Sequence, residues 1–187
     1  MLLLASSSPR RSRLLAMAGY EFRAVPANVG ESVPRGTPPM QIVEQLSARK
    51  AQAVARQYPS DTVVAADTVV VFKGRVLGKP KDAEAAKSML RLLSGNVHQV
   101  YTGYAVLRGG RLVRGHECTS VEFYTMTPAE IDAYVATGEP LDKAGAYAIQ
   151  GRGALYVKRI NGDFYNVVGL PLSKIHHILA ELKKLEG

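Results

Sequence analysis

Hydrophobic positions along the chain fall into runs with two periods, and these runs set out the elements. Residues 2–4 are three consecutive leucines, short and wholly apolar, which suits a buried strand. Residues 62–72, TVVAADTVVVF, are β-branched and almost entirely apolar, the composition of a strand covered on both faces. Between them the period changes: over 40–58, Val43, Leu46, Ser47, Lys50 and Val54 recur at helical spacing along one face. The pattern further predicts a helix over 9–19 stopped by Gly19, a strand over 21–25, and a Pro- and Gly-rich loop over 26–39. Asp82 can cap a helix running to Leu93; residues 99–108 and 111–124 read as strands paired around Gly109-Gly110, and 127–137 as a helix. Asn161-Gly162 is a hairpin signal between apolar runs at 154–160 and 165–168, and Pro171 opens an amphipathic helix ending near Leu185. Several hairpin-type pairs among the helices predict an α/β or mixed α+β chain with a mixed sheet, rather than a regular βαβ alternation. There is no internal repeat and no low-complexity tract.

Composition narrows the class. With 187 residues, 47% hydrophobic and 21% charged, the chain can bury a core as one domain or as two lobes around a cleft. The excess of 24 Lys+Arg over 16 Asp+Glu gives +8, which suits nucleic acid and a highly anionic small substrate equally well. A single cysteine, Cys118, excludes an intrachain disulfide or a cysteine zinc cluster and points to a reducing compartment, with the cytoplasm as default. The apolar start is too short for a signal peptide, and the longest apolar stretch is interrupted by Asp67, so no membrane segment is expected. His98, His116, His176 and His177 have no zinc-ligand spacing, and the adjacent pair reads as helix surface.

Candidate chemistry begins at the first turn, where LLLASSSPRRSR runs from strand through a serine loop into a helix. Ser8 can cap that helix and Pro9 suits its first turn. The helix N-terminus attracts anions, and Arg10 and Arg11 add full charges with forked donors. Asp67, a carboxylate in an apolar strand, must be paired, bound to a metal or kept neutral, unless it merely reaches water. Lys50 on an apolar stripe can snorkel, Lys79 in a Gly-Lys-Pro turn reads alone as a solvated lysine, and Glu31 as a loop acid. Together they suggest one job. Arg10, Arg11, Lys50 and Lys79 supply positive charge, while Asp67 and Glu31 can ligate a hard divalent cation, the set that triphosphate chemistry needs. No P-loop and no kinase glycine loop is present.

The chain also resembles the Maf-type nucleoside triphosphate pyrophosphatases. The resemblance rests on Ser6-Ser7-Ser8-Pro9-Arg10-Arg11, Ala66-Asp67-Thr68, Leu77-Gly78-Lys79-Pro80, Leu93-Ser94-Gly95 through Tyr101-Thr102-Gly103, Asp142-Lys143-Ala144-Gly145-Ala146-Tyr147 to Gln150-Gly151, and Asn166-Val167-Val168-Gly169-Leu170-Pro171. It implies one domain over residues 1–187 with an ITPase-like fold: an elongated mixed sheet flanked by helices, in two lobes around a deep cleft. It implies hydrolysis of a triphosphate between its α and β phosphates, a divalent cation such as Mg²⁺ or Mn²⁺, and a homodimer. Carried over residue by residue, Ser8, Arg10 and Arg11 bind substrate, Lys50 and Lys79 hold phosphates, and Asp67 is the catalytic acid/base or a metal ligand. Glu31 supports the metal, and Thr68 and Gln150 help to set specificity. The family often has an acidic residue just before the glutamate of that loop, whereas this chain reads Val29-Gly30-Glu31. The DKAGAYAIQG wording is similar to the branch acting on dTTP and UTP, and differs from the sister branch acting on 7-methyl-GTP. A house-cleaning role toward unwanted or modified nucleotides is implied. The competing expectation is a nucleic-acid-binding or septum-formation regulatory protein without turnover, whose basic residues would form a continuous outer face.

Overall fold

A computed structural model describes residues 1–184. Seven strands form one mixed sheet: β1 (Leu2–Leu4), β2 (Arg23–Ala24), β3 (Thr62–Phe72), β4 (Arg75–Leu77), β5 (Val97–Arg108), β6 (Arg111–Phe123) and β7 (Val157–Asn161). Their order is β2-β1-β3-β5-β6-β7, with β4 paired to β3 off this path. The described helices are α1 (Pro9–Met17), α2 (Pro39–Ala55), α3 (Ala83–Leu93), α4 (Pro128–Ala136), α5 (Phe164–Val168) and α6 (Leu172–Lys184). The expected mixed sheet is therefore present, with β1 parallel to β2 and β3, and β3–β4 and β6–β7 antiparallel. Leu185, the expected end of the last helix, lies outside the described residues. By internal contacts the chain divides into two compact units, the first holding Met1–Asp67, Thr102–Glu117 and the chain from Gly169 onward, the second Thr68–Tyr101 and Cys118–Val168.

The first unit is built around β1 and α2. Leu3, Ala5, Val63, Ala65 and Ala105 from the strands and the loop after β1 pack with Ala48, Ala51, Val54 and Ala55 of α2. Of the stripe read from the sequence only Val54 lies in this cluster, while Val43, Leu46 and Ser47 are buried as well. Small residues let helix and strand approach closely. A Cβ at Gly103 of β5 would come within 2.2 Å of the Val43 carbonyl, so only glycine fits where α2 crosses the strand. That contact seats the helix and, two turns on, Lys50.

In the second unit, α3 begins at Asp82, whose carboxylate accepts from Ala85 N at 2.7 Å, and α4 begins with a capping box between Thr127 and Glu130. Each cap is worth about 1 kcal/mol. Phe123, His98 and Tyr147 stack edge to face, with centroids 4.8–5.2 Å apart, and the Tyr147 hydroxyl meets His98 Nε2 at 2.8 Å. His98 is fully buried, and that burial lowers its imidazole pKa to about 4, so it is neutral at physiological pH. Burial also pushes the Tyr147 phenol up.

The structure differs from the sequence pattern in four places. The strand expected over 21–25 is only Arg23–Ala24. A hairpin not foreseen joins β3 to β4 through Lys73 and Gly74, both at positive φ, as a two-residue primed turn requires. Asn161-Gly162 does not make the expected hairpin: β7 pairs with β6, and residues 165–168 belong to α5. There Asp163 acts as a helix cap, accepting from Tyr165 N at 2.8 Å, and the cap prevails over the hairpin signal. Residues 139–153, where no element was predicted, and 154–156, expected as the start of the strand over 154–160, form successive 3₁₀ turns at Glu139–Asp142, Ala144–Ala146 and Arg152–Tyr156, so that strand begins only at Val157.

Candidate active site

Lys50 of α2 and Asp67 of β3 come together in the first unit, both side chains only 13% exposed, with Nζ 2.5 Å from Asp67 Oδ1. The same ammonium lies 3.0 Å from Oε1 of Glu31, whose side chain is mostly exposed. The buried strand carboxylate is thus paired, one of the alternatives its setting demanded, and the lysine does not simply snorkel. Glu31 sits on a loop that would wander unless held, and Arg49 holds it: Nη1 donates to the carbonyls of Gly30 and Ser32 at 3.3 and 2.8 Å, one on either side. Sequence reasoning missed Arg49, whose one signal in the sequence is its place next to Lys50.

Arg11 is fixed from α1. Its Nε donates to Gly169 O at 2.7 Å and its Nη1 to Ser6 Oγ at 3.2 Å. Burial lowers the guanidinium pKa below its ordinary value, the neighbouring Arg10 acting in the same sense and Asp67 and Glu31 in the opposite one. Arg10, Arg11, Lys50, Glu31 and Asp67 therefore lie within one electrostatic neighbourhood.

Ser8 stands at the cap position of α1 with extended backbone, but its side chain makes no capping bond. This corrects the expectation that it caps. The loop turns so that Ser6 Oγ, itself buried, takes the Ser8 amide at 3.2 Å as well as Arg11, leaving the Ser8 hydroxyl out of the cap. Ser6 is thus the serine of the SSS run that is bonded to Arg11, which composition alone could not single out among the three.

The remaining candidates belong to the second unit. Thr68 follows Asp67 on β3 and is half-buried. Lys79 is exposed in the turn after β4, and that turn is tied to the 3₁₀ region by Gly145 N donating to Gly78 O at 3.1 Å. Gln150 is exposed, on the segment between Tyr147 and the turn that starts at Arg152. Cys118 is exposed, as are His176 and His177 on α6. Among the described residues no cluster of three or more His, Cys, Asp or Glu side chains is placed to hold a metal, and no helix is long and apolar enough to cross a membrane.

The Asp67 and Glu31 carboxylates already share one cation, the Lys50 ammonium, so their oxygens face a common point from which a positive charge can be held. Two carboxylates suit Mg²⁺, which keeps several waters and takes further oxygens from substrate phosphates rather than from an all-protein cage. The donor set fits such an ion.

Comparison with known proteins gives a consistent result. The family described as Maf-like protein matches residues 1–182. A dTTP/UTP pyrophosphatase of Moorella thermoacetica is 55% identical over 181 residues, covering 96% of this chain and 93% of its own. One from Geobacillus sp. (strain WCH70) is 52% identical over 184 residues, covering 98% and 97%. Among solved structures, the Staphylococcus aureus Ham1 protein aligns with 65% of this chain and 71% of its own, at 16% identity and a TM-score of 0.46, a likeness too partial to bear on function.

Proposed function

The chain belongs to the Maf family, and from that membership we propose that it hydrolyses dTTP and UTP to the nucleoside monophosphate and pyrophosphate. The observation that carries the reading is the Lys50 ammonium held between Asp67 and Glu31 with Arg11 and Arg10 alongside, cations and carboxylates converging instead of forming a uniformly basic face. A triphosphate carries about four negative charges and must be met by such a set.

The roles follow from the chemistry of the groups. A bound triphosphate competes for Lys50, which turns toward phosphate oxygens and frees Asp67 to accept a proton from water. The water oxygen attacks the α phosphorus, the bond to the bridging oxygen breaks, and the electron pair leaves with pyrophosphate. Arg10, Arg11 and Lys79 stabilise charge on the departing group. Glu31 and Asp67 would hold the divalent cation, which supplies neutralisation of phosphate oxygens and a more acidic bound water. Ser8 contacts phosphate, while Thr68 and Gln150 act in nucleotide selection. Gln150 offers an acceptor for the N3–H of thymine or uracil and a donor for the adjacent carbonyl. The same reading makes the protein a cytoplasmic homodimer, which sedimentation of the purified chain tests.

The test of function is a panel of ordinary and modified triphosphates assayed for pyrophosphate release with Mg²⁺ and with Mn²⁺. Release from dTTP and UTP well above that from purine triphosphates is expected. Salt-dependent binding to DNA without turnover of any triphosphate would overturn the proposal.

A further inference from the structure

Gln150 is exposed, and its amide can present donor and acceptor in either order, so it distinguishes uracil from cytosine only if neighbouring groups fix the amide's orientation, and hydrogen bonds of that kind need the backbone beneath it held in place. The structure holds that backbone with two side chains to which nothing above gives a role. Tyr134 of α4, 2% exposed, accepts from Ala148 N at 3.1 Å and donates to Glu139 Oε1 at 2.7 Å. Glu139 in turn accepts from Gly153 N at 3.0 Å on the same oxygen and from Arg152 N at 3.1 Å on Oε2. One hydrogen-bonded chain thus grips the segment two residues before Gln150 and again two residues after it.

The fit around this chain leaves no slack. Gly151 has φ +95°, and a Cβ there would meet Glu139 Oε2 at 2.4 Å; a Cβ at Gly153 would lie 2.3 Å from Ala148 O and 2.5 Å from the Tyr134 hydroxyl. Burial pushes the Glu139 carboxyl up, but hydrogen bonds from Tyr134, Gly153 and Arg152, with the nearby Lys143 charge, hold it below its ordinary value. An ionised carboxylate accepts at both oxygens, which is what two amides and a phenol require.

We infer that Glu139 and Tyr134 are positioning residues for nucleobase selection, fixing the backbone on both sides of Gln150 so that its amide is held at one place against a pyrimidine edge, where its hydrogen bonds can form. The inference rests on the reading of Gln150 as the base-contacting residue. Glu139→Gln keeps the shape but turns an NH₂ group toward a backbone N–H, and Tyr134→Phe removes the link between the two anchors.

Steady-state kinetics with UTP, dTTP and CTP, run beside amide hydrogen exchange over residues 148–153, test it. Glu139→Gln should raise KM for UTP and dTTP about tenfold with kcat within about twofold, and reduce the preference for UTP over CTP by about the same factor. Exchange at Arg152 and Gly153 should quicken. In a Gln150→Ala background, Glu139→Gln should leave preference where Gln150→Ala alone put it. Tyr134→Phe should move the same readouts in the same direction, and it carries the test if Glu139→Gln does not fold. A fall in kcat at unchanged preference, or a preference shift undiminished by Gln150→Ala, overturns the positioning role and leaves that of Gln150 standing. Native preference in Gln150→Ala overturns base reading by Gln150, and the positioning role falls with it.

Discussion

In the first unit the functional candidates are charged side chains on regular elements: Lys50 on a helix and Asp67 on a strand, joined by an ion pair, and Arg11 on a first helical turn, held to the Gly169 carbonyl by a hydrogen bond. In the second unit Lys79 and Gln150 stand on turns, and the order there comes from left-handed residues and from side chains gripping main-chain amides. Both units steady a loop by the same device with opposite polarity. Arg49 donates to the carbonyls on either side of Glu31, and Glu139 accepts from the amides that follow Gln150. A phosphate is met by charges, which tolerate small displacements because Coulomb attraction falls slowly with distance. A base edge is read by hydrogen bonds, which do not tolerate them.

That contrast predicts which changes stop turnover and which blur or destabilise. The largest effect belongs to Asp67→Asn, which keeps the size of the side chain but loses proton acceptance and charge. Turnover at saturating Mg²⁺ should fall by about a hundredfold to ten-thousandfold, with an unaltered circular dichroism spectrum. Near-normal turnover would make Asp67 structural.

Next comes His98, whose setting in the second unit ties stability to pH. Its folded pKa of about 4 lies below the ordinary 6.5, so between those values the unfolded chain binds a proton that the folded chain refuses. Stability from this group is complete above pH 6.5, falls as the pH drops through the window, and changes no further below about 4, a loss of about 3 kcal/mol. Urea titrations of the wild type and His98→Phe across that window should show the acid slope reduced in the variant. Identical slopes would place the acid sensitivity elsewhere.

Gly151→Ala should cost about 2 kcal/mol, because alanine at φ +95° is strained and its Cβ collides with Glu139. Thermal unfolding measures the loss, and an unchanged midpoint would mean that the turn relaxes without cost. The smallest effects are those of single cations. Arg10→Ala, Arg11→Ala, Lys50→Ala and Lys79→Ala should each lower kcat/KM about tenfold, non-additively when combined, whereas Lys183→Ala and Lys184→Ala change it less than about twofold. Comparable losses from the α6 lysines would mean that net charge, not position, governs activity.

How much of this was legible in the chain depends on the kind of order involved. Asp67 stood out because it is the one carboxylate in an eleven-residue strand whose other ten residues are apolar or β-branched, and Lys50 because it breaks an apolar helical stripe; both anomalies mark side chains that must be paired. The elements themselves followed period and caps, β3 to the residue and α3 from its Asp82 cap. What stayed hidden was order made by backbone conformation. The turns over 139–156 have no hydrophobic period, and the partners of Glu139 lie 5 to 14 residues away, a spacing that no helix or strand rule relates. At 161–168 two local signals conflicted, and the Asp163 cap prevailed over the Asn-Gly turn because Thr119 also binds both the amide and the carbonyl of Asp163, at 3.0 Å each.

The central claim is the position of bond cleavage. Hydrolysis of UTP in ¹⁸O-labelled water, with products separated by mass, tests it directly: attack at the α phosphorus must yield UMP carrying the label and unlabelled pyrophosphate. Labelled orthophosphate with UDP would contradict the account, even if UTP were consumed at the same rate.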